Sequence, residues 1–183
     1  MVHAASNGHY ARTPERSAPP GNGGRPTAPA FGVASSPAMA EYRFSVHVAA
    51  SPEQVFDLWT DLDRLPEWIG GVSRVTNLTG PLDRVGTRFT VWFGGMASPT
   101  EVLDAQRPHR FKTRFGNRLL RGENEATFEP EGSGTLLTQQ FRTQGMVSAI
   151  IARIFATGSY RGSFKGELAE FARIAERDAV RAS

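Results

Sequence analysis

The sequence predicts an α+β fold in which a seven-stranded, curved antiparallel sheet is packed against two short helices and one long C-terminal helix. Three observations predict it. Period-two alternation recurs in seven segments between Glu41 and Gln144. A capped helix start follows the first of them, at Ser51-Pro52-Glu53-Gln54. From about Val147 to Arg177 the apolar period changes to 3.6.

Each element follows in chain order. Residues 1 to 38 are rich in Pro, Gly, Ala and Ser and carry only Val2, Tyr10, Phe31 and Val33 as larger apolar groups. That is too little apolar surface to offset the entropy of ordering, so this tail is expected to be disordered and residues 39 to 183 to form one ligand-binding domain. Met39 stands directly before the first patterned segment, and translation starting there is an expectation that the intact mass of native protein tests.

The first strand begins at Glu41, with Tyr42, Phe44, Val46 and Val48 on one face and Arg43, Ser45 and His47 on the other. Ser51 supplies an N-cap, Pro52 a first-turn proline and Gln54 the reciprocal capping-box partner of a short helix, whose apolar side is Val55, Leu58, Trp59 and Leu62. Asp61 and Asp63 can cap a second short helix, which Pro66 disrupts before Gly70-Gly71 returns the chain to sheet. Extended segments are expected at about 72 to 79, 86 to 94, 98 to 106, 110 to 116, 120 to 130 and 134 to 144, joined as a meander by turns rich in Gly, Pro and Asn. The closing segment runs through Val147, Ile150, Ile151 and Ile154 to Phe164, Leu168, Phe171, Ala172 and Ala175, and a continuous helix of that length spans roughly 45 Å.

Charge and composition exclude several function classes. The formal net charge is +3, but Arg12, Arg16 and Arg25 against Glu15 place +2 of it in the tail, so the domain is nearly neutral and a poor match for a phosphate backbone. With no cysteine there is no disulfide framework, thiolate nucleophile or cysteine zinc site, which fits a reducing cytoplasm. No apolar run approaches the ~20 residues of a membrane-spanning helix, and the reading is a soluble, cytoplasmic protein without integral membrane association. Gly-x-Ser-x-Gly, His-Glu-x-x-His and phosphate-loop motifs are absent, and neither His47 on a polar strand face nor His109 at a turn makes a convincing general base. No catalytic residue, metal or cofactor is expected.

The candidate site is instead an inner face. Phe89, Val91 and Phe93 alternate with polar or outward residues, as do Phe111 and Phe115, and the same reading puts Phe128 and Phe141 inward. These side chains either line a cavity or fill a core. Gly158, Gly162 and Gly166 recur every four residues in the closing helix, so they leave volume for a ligand or allow close helix-sheet contact. Tyr160 and Arg161 lie between these glycines as candidate donors to a ligand, or as a boundary tyrosine and a solvated arginine. Asn124 and Gln139 are the candidate polar groups that orient an apolar ligand, unless a core partner explains them. Arg110, Lys112 and Arg114 form a basic row, read as a solvated outer face in preference to a site for anionic lipid.

The order strand, two short helices, six strands and long helix, carried by Ala50-Ser51-Pro52-Glu53-Gln54-Val55-Phe56, Leu62-Asp63-Arg64-Leu65-Pro66-Glu67-Trp68 and Val85-Gly86-Thr87-Arg88-Phe89, resembles the START-like (SRPBCC) superfamily of helix-grip, Bet v 1-like proteins. Within it the chain is most similar to the polyketide cyclase/dehydrase group, over residues 41 to 177. The resemblance implies a hydrophobic small-molecule ligand, such as a lipid, isoprenoid or polyketide, held between sheet and helix. It places Trp68, with Pro66, near the cavity mouth; Phe164, on the apolar period of the closing helix, joins the expected lining. It leaves two alternatives: a polyketide cyclase/dehydratase using Tyr160, Arg161 and a pocket amide, and an interaction module like the chaperone-activating START-like proteins.

Overall fold

A computed structural model describes residues 40–157 and 163–182. Among them the element order is β1 (Glu41–Val48), α1 (Pro52–Thr60), a single 3-10 turn (Leu62–Arg64), α2 (Leu65–Trp68), β2 (Val72–Thr76), β3 (Arg88–Phe93), β4 (Met96–Gln106), β5 (Arg110–Gly116), β6 (Arg121–Glu131), β7 (Gly134–Thr143), α3 (Met146–Thr157) and α4 (Phe164–Ala182). The α+β class and the seven strands stand as expected.

The strands form one antiparallel sheet in the order β1-β7-β6-β5-β4-β3-β2. β2 to β7 are a meander, and β1 is laid against β7 on the far side, with Tyr42 opposite Phe141 and Val46 opposite Leu137. Ser45 Oγ and Thr138 Oγ1 meet at 2.8 Å across this seam, 93 residues apart in the chain. The pairing shifts between Val72 and Arg74 and between Val102 and Asp104, irregularities that bend a sheet and increase its twist.

Local chemistry sets the helix starts. Ser51 Oγ accepts from the Gln54 N–H at 3.4 Å while Gln54 Oε1 accepts from the Ser51 N–H at 3.0 Å, completing the expected capping box of α1. The expected continuous helix from Val147 to Arg177 is replaced by two helices. Ser163 is not helical: its Oγ accepts from the Gly166 N–H at 3.2 Å and its carbonyl from the Glu167 N–H at 2.9 Å, so it caps a new helix. The long C-terminal helix is thus the 19-residue α4, roughly 28 Å rather than 45 Å long. A capping serine beside glycine, the weakest helix former after proline, is the physical reason for the new start.

Two apolar clusters hold the helices to the inner face. The larger joins Val55, Phe56 and Trp59 of α1, Leu65 and Trp68 of α2, and Leu168, Phe171 and Ile174 of α4 to Val102, Ala126, Phe128 and Leu137 of the sheet. The smaller joins Phe141 of β7, Ala152 of α3 and Phe164 of α4, with Tyr42, Phe44, Phe115 and Leu120 against it. The Arg64 guanidinium clips the α2 end to α4, with Nη1 at 2.7 Å from Asp178 and Nη2 at 2.8 Å from Glu67.

The outer face is polar. Arg110 pairs with Glu125 at 2.9 Å and Asp104 at 3.4 Å, Lys112 with Glu123 at 2.9 Å, and Arg114 with Glu123 at 3.4 Å. The basic row is therefore neutralised by acids on adjoining strands, in keeping with a solvated sheet face.

Candidate ligand cavity

Between the two clusters lies a cavity of about 340 Å³, inside the roughly 300–1,000 Å³ range of small-molecule sites. Its floor is the inner face of the sheet: Phe89, Val91 and Phe93 of β3, Phe111, Thr113 and Phe115 of β5, Asn124 of β6, and Gln139 and Phe141 of β7. Its walls are Trp59 of α1, Leu65 and Trp68 of α2, Ile151 and Ala152 of α3, and Phe164 and Glu167 of α4. Met96 and Leu119 line it while remaining exposed, so the mouth opens between the β3–β4 and β5–β6 loops.

The expected residues divide unevenly. Trp68, Phe89, Val91, Phe93, Phe111, Phe115, Asn124, Gln139, Phe141 and Phe164 all face this space. Phe128 does not. It is fully buried, with Phe56 at 5.3 Å and Trp59 at 6.1 Å between ring centres, and it closes the solid part of the core. It shares the inner face of β6 with Asn124 but stands four residues further along, where α1 covers the sheet directly. Tyr160, Arg161, Gly158 and Gly162 lie outside the described residues.

Aromatic packing fixes the walls. Trp68 is held between Trp59 at 4.8 Å and Phe171 at 5.0 Å, which keeps α2 against α1 and α4. Its Nε1–H is buried and has no hydrogen-bond partner among the described residues. On the other side Phe141 stacks on Phe115 at 5.1 Å and meets Phe164 at 4.7 Å.

Polar groups in the cavity are few. Gln139 Nε2 donates to Asn124 Oδ1 at 3.0 Å, a side-chain pair bridging β6 and β7 on the floor. This partner would explain both amides as core residues, yet both also line the cavity, and a side-chain amide can make more than one hydrogen bond. Thr100 Oγ1 is turned to the Ser98 carbonyl at 3.2 Å.

Glu167 is the residue that sequence reasoning missed. It is 8% exposed and lies on the cavity wall, where its Oε1 accepts from the Gly70 N–H at 3.2 Å. Burial pushes its carboxyl up to about 7, against a smaller opposing effect of the Gly70 hydrogen bond. The signal was present: an acid three residues after Phe164 and four before Phe171 falls on the apolar stripe of α4.

Among the described residues no group of His, Cys, Asp and Glu side chains could hold a metal ion, and no helix is long and apolar enough to cross a membrane.

A family model for polyketide cyclase/dehydrase and lipid transport matches residues 39–176. Similar solved structures include protein MLL2253 from Mesorhizobium loti, 17% identical with a TM-score of 0.59, covering 79% of this chain and 99% of that one. A START superfamily protein from Mycobacterium smegmatis is 17% identical with a TM-score of 0.53, over 78% of this chain and 99% of its own. The di-domain ARO/CYC StfQ from the steffimycin biosynthetic pathway is 13% identical with a TM-score of 0.59, over 79% of this chain and 52% of the larger protein. At these identities the likeness is one of fold. No curated protein matches the chain in sequence.

Proposed function

Because the chain belongs to the polyketide cyclase/dehydrase and lipid transport family, we propose that it is a cytoplasmic binding protein for a hydrophobic small molecule of the lipid, isoprenoid or polyketide kind. The observation that carries this reading is the cavity of about 340 Å³ with an aromatic floor, flanked by two packed clusters instead of being filled by them. Apolar lining of this extent favours a guest through the area it removes from water, at roughly 25 cal/mol per Å². The ligand residues are Trp68, Phe89, Val91, Phe93, Phe111, Phe115, Phe141 and Phe164, with Asn124 and Gln139 orienting a polar group of the guest.

The test is saturable binding of a neutral naphthylamine dye, with mass spectrometry of whatever co-purifies. Val91→Trp, which fills part of the floor, should weaken the dye roughly tenfold or more, while Phe141→Ala should alter which guest sizes compete. A chain that binds no neutral apolar dye and carries no extractable ligand removes the proposal.

A second reading, a polyketide cyclase/dehydratase, is favoured by one observation: a buried carboxyl on the cavity wall. The roles first expected of Tyr160 and Arg161 fall on residues outside those described. No comparable observation supports the interaction-module alternative.

A further inference from the structure

The outer face of the sheet changes character toward one end. Arg110 and Lys112 hold carboxylate partners at 2.9 Å. Farther along the same face Arg114 reaches Glu123 at 3.4 Å and Arg88 reaches Glu101 at 3.5 Å, with Arg88 69% and Arg114 57% exposed, so water screens both pairs and they contribute little. One step along these strands the outward positions are short: Thr90 of β3 stands opposite Pro99 of β4, and Gly116 of β5 opposite Arg121 of β6. Short floor positions beside long arginines leave a recess of about 570 Å³. Phe89, Thr100 and Phe115 border both this recess and the cavity, so a single layer of sheet separates the two spaces.

We propose that this recess is a second binding site, for a small, water-soluble phosphate monoester with a hydroxylated carbon body. Arg88, Arg114 and Arg121 line it against Glu101, and counting Glu123 beside Arg114 still leaves three guanidiniums to two carboxylates. Arg121 is exposed and makes no ion pair among the described residues. The stems start from fixed backbone: the Arg88 N–H donates to Thr79 Oγ1 at 2.9 Å and the Arg121 N–H to Ser148 Oγ at 3.2 Å. A phosphate monoester is close to dianionic at neutral pH and offers three strong acceptor oxygens. Guanidinium forks take such oxygens in pairs, so one group answers several arginines and displaces their long carboxylate contacts. Asn77, Thr90 and Gln144 add amide and hydroxyl groups for the body of the ester. No exposed large apolar residue lines the recess, which favours a soluble ester over a lipid headgroup. The site is independent of the ligand-cavity reading.

Calorimetric titration of the full chain with glucose 6-phosphate tests the site. The heat should saturate, glucose should give none, and added potassium chloride should weaken the ester by screening. Arg121→Ala should lower the affinity roughly tenfold or more, and Arg88→Gln likewise, because each removes charged hydrogen bonds to the phosphate. The naphthylamine dye should bind both variants as it binds the parent. Arg43→Ala, which removes an exposed arginine of β1 outside the recess, should leave the ester's affinity unchanged. Absence of saturable heat from the parent overturns the proposal. Equal weakening by Arg43→Ala also overturns it, since the attraction is then general to a basic surface. Capture of phosphatidate vesicles without binding of the soluble ester overturns it as well. If Arg121→Ala does not fold, Arg88→Gln beside Arg43→Ala decides.

Discussion

The backbone N–H of Gly70 donates to Glu167 Oε1 at 3.2 Å, so the acid on the cavity wall is tied to the turn that follows α2. Burial outweighs this bond and raises the carboxyl from 4.5 to about 7. Below 4.5 folded and unfolded chains both hold the proton and there is no penalty. As pH rises toward 7 the unfolded chain ionises first, so stability falls by ~3 kcal/mol and then levels off. Glu167→Gln should therefore be more stable than the parent at about pH 8, and the advantage should vanish below about pH 4.5. Urea denaturation at the two pH values checks it; an advantage of equal size at both refutes the assignment.

Phe128 and Phe141 occupy the same face of adjoining strands but do different work. Phe128 is fully buried in the solid core, and Phe128→Ala should cost about 3–5 kcal/mol. Phe141 borders existing empty space, so Phe141→Ala should cost distinctly less, on the order of 2 kcal/mol, and should change dye binding. Thermal unfolding beside dye titration separates the two.

Gly122 sits where β6 passes β7. A Cβ built there would lie 1.9 Å from the Arg142 carbonyl oxygen, a backbone atom that moves only if the ladder opens. Gly122→Ala should abolish soluble expression or lower the melting temperature by about 10 °C or more. Gly80→Ala, whose added carbon meets only Thr87 Oγ1 at 3.4 Å, should be nearly neutral.

Arg64 bridges two segments by ion pairs that are only partly exposed, and it holds the Asp178 and Glu67 carboxyls below their ordinary values. Arg64→Ala should cost about 1 kcal/mol, discounted for solvent access. Asp178→Asn should cost less in the same background than in the parent, because the Arg64 contact is already gone and only the partly exposed pair with Arg177 at 3.1 Å is left to lose. A double-mutant cycle that shows full additivity contradicts the clip.

Much of this structure was legible as pattern. The β5 alternation Phe111, Thr113, Phe115 and the Ser51–Gln54 capping box each follow from local chemistry, so the strands and α1 fell where the sequence put them. Alternation reports the face of a strand but not the position along it. That is why Phe128, on the correct face, was expected in a cavity that ends before it. The break before α4 was obscured because apolar period continues across it, from Ile154 to Phe164, while the decisive signal is one serine side chain turned to one N–H. Glu167 was obscured by its type: an acid in a helix reads as solvent-facing unless its place on the apolar stripe is counted.

The seam between β1 and β7 orders events in time. β1 has one neighbour in the sheet, and that neighbour is the last strand in the chain; the roof helices α3 and α4 follow later still. Contacts of such sequence separation form slowly. A chain still leaving the ribosome therefore keeps the phenylalanines of the sheet uncovered until α3 and α4 have been made.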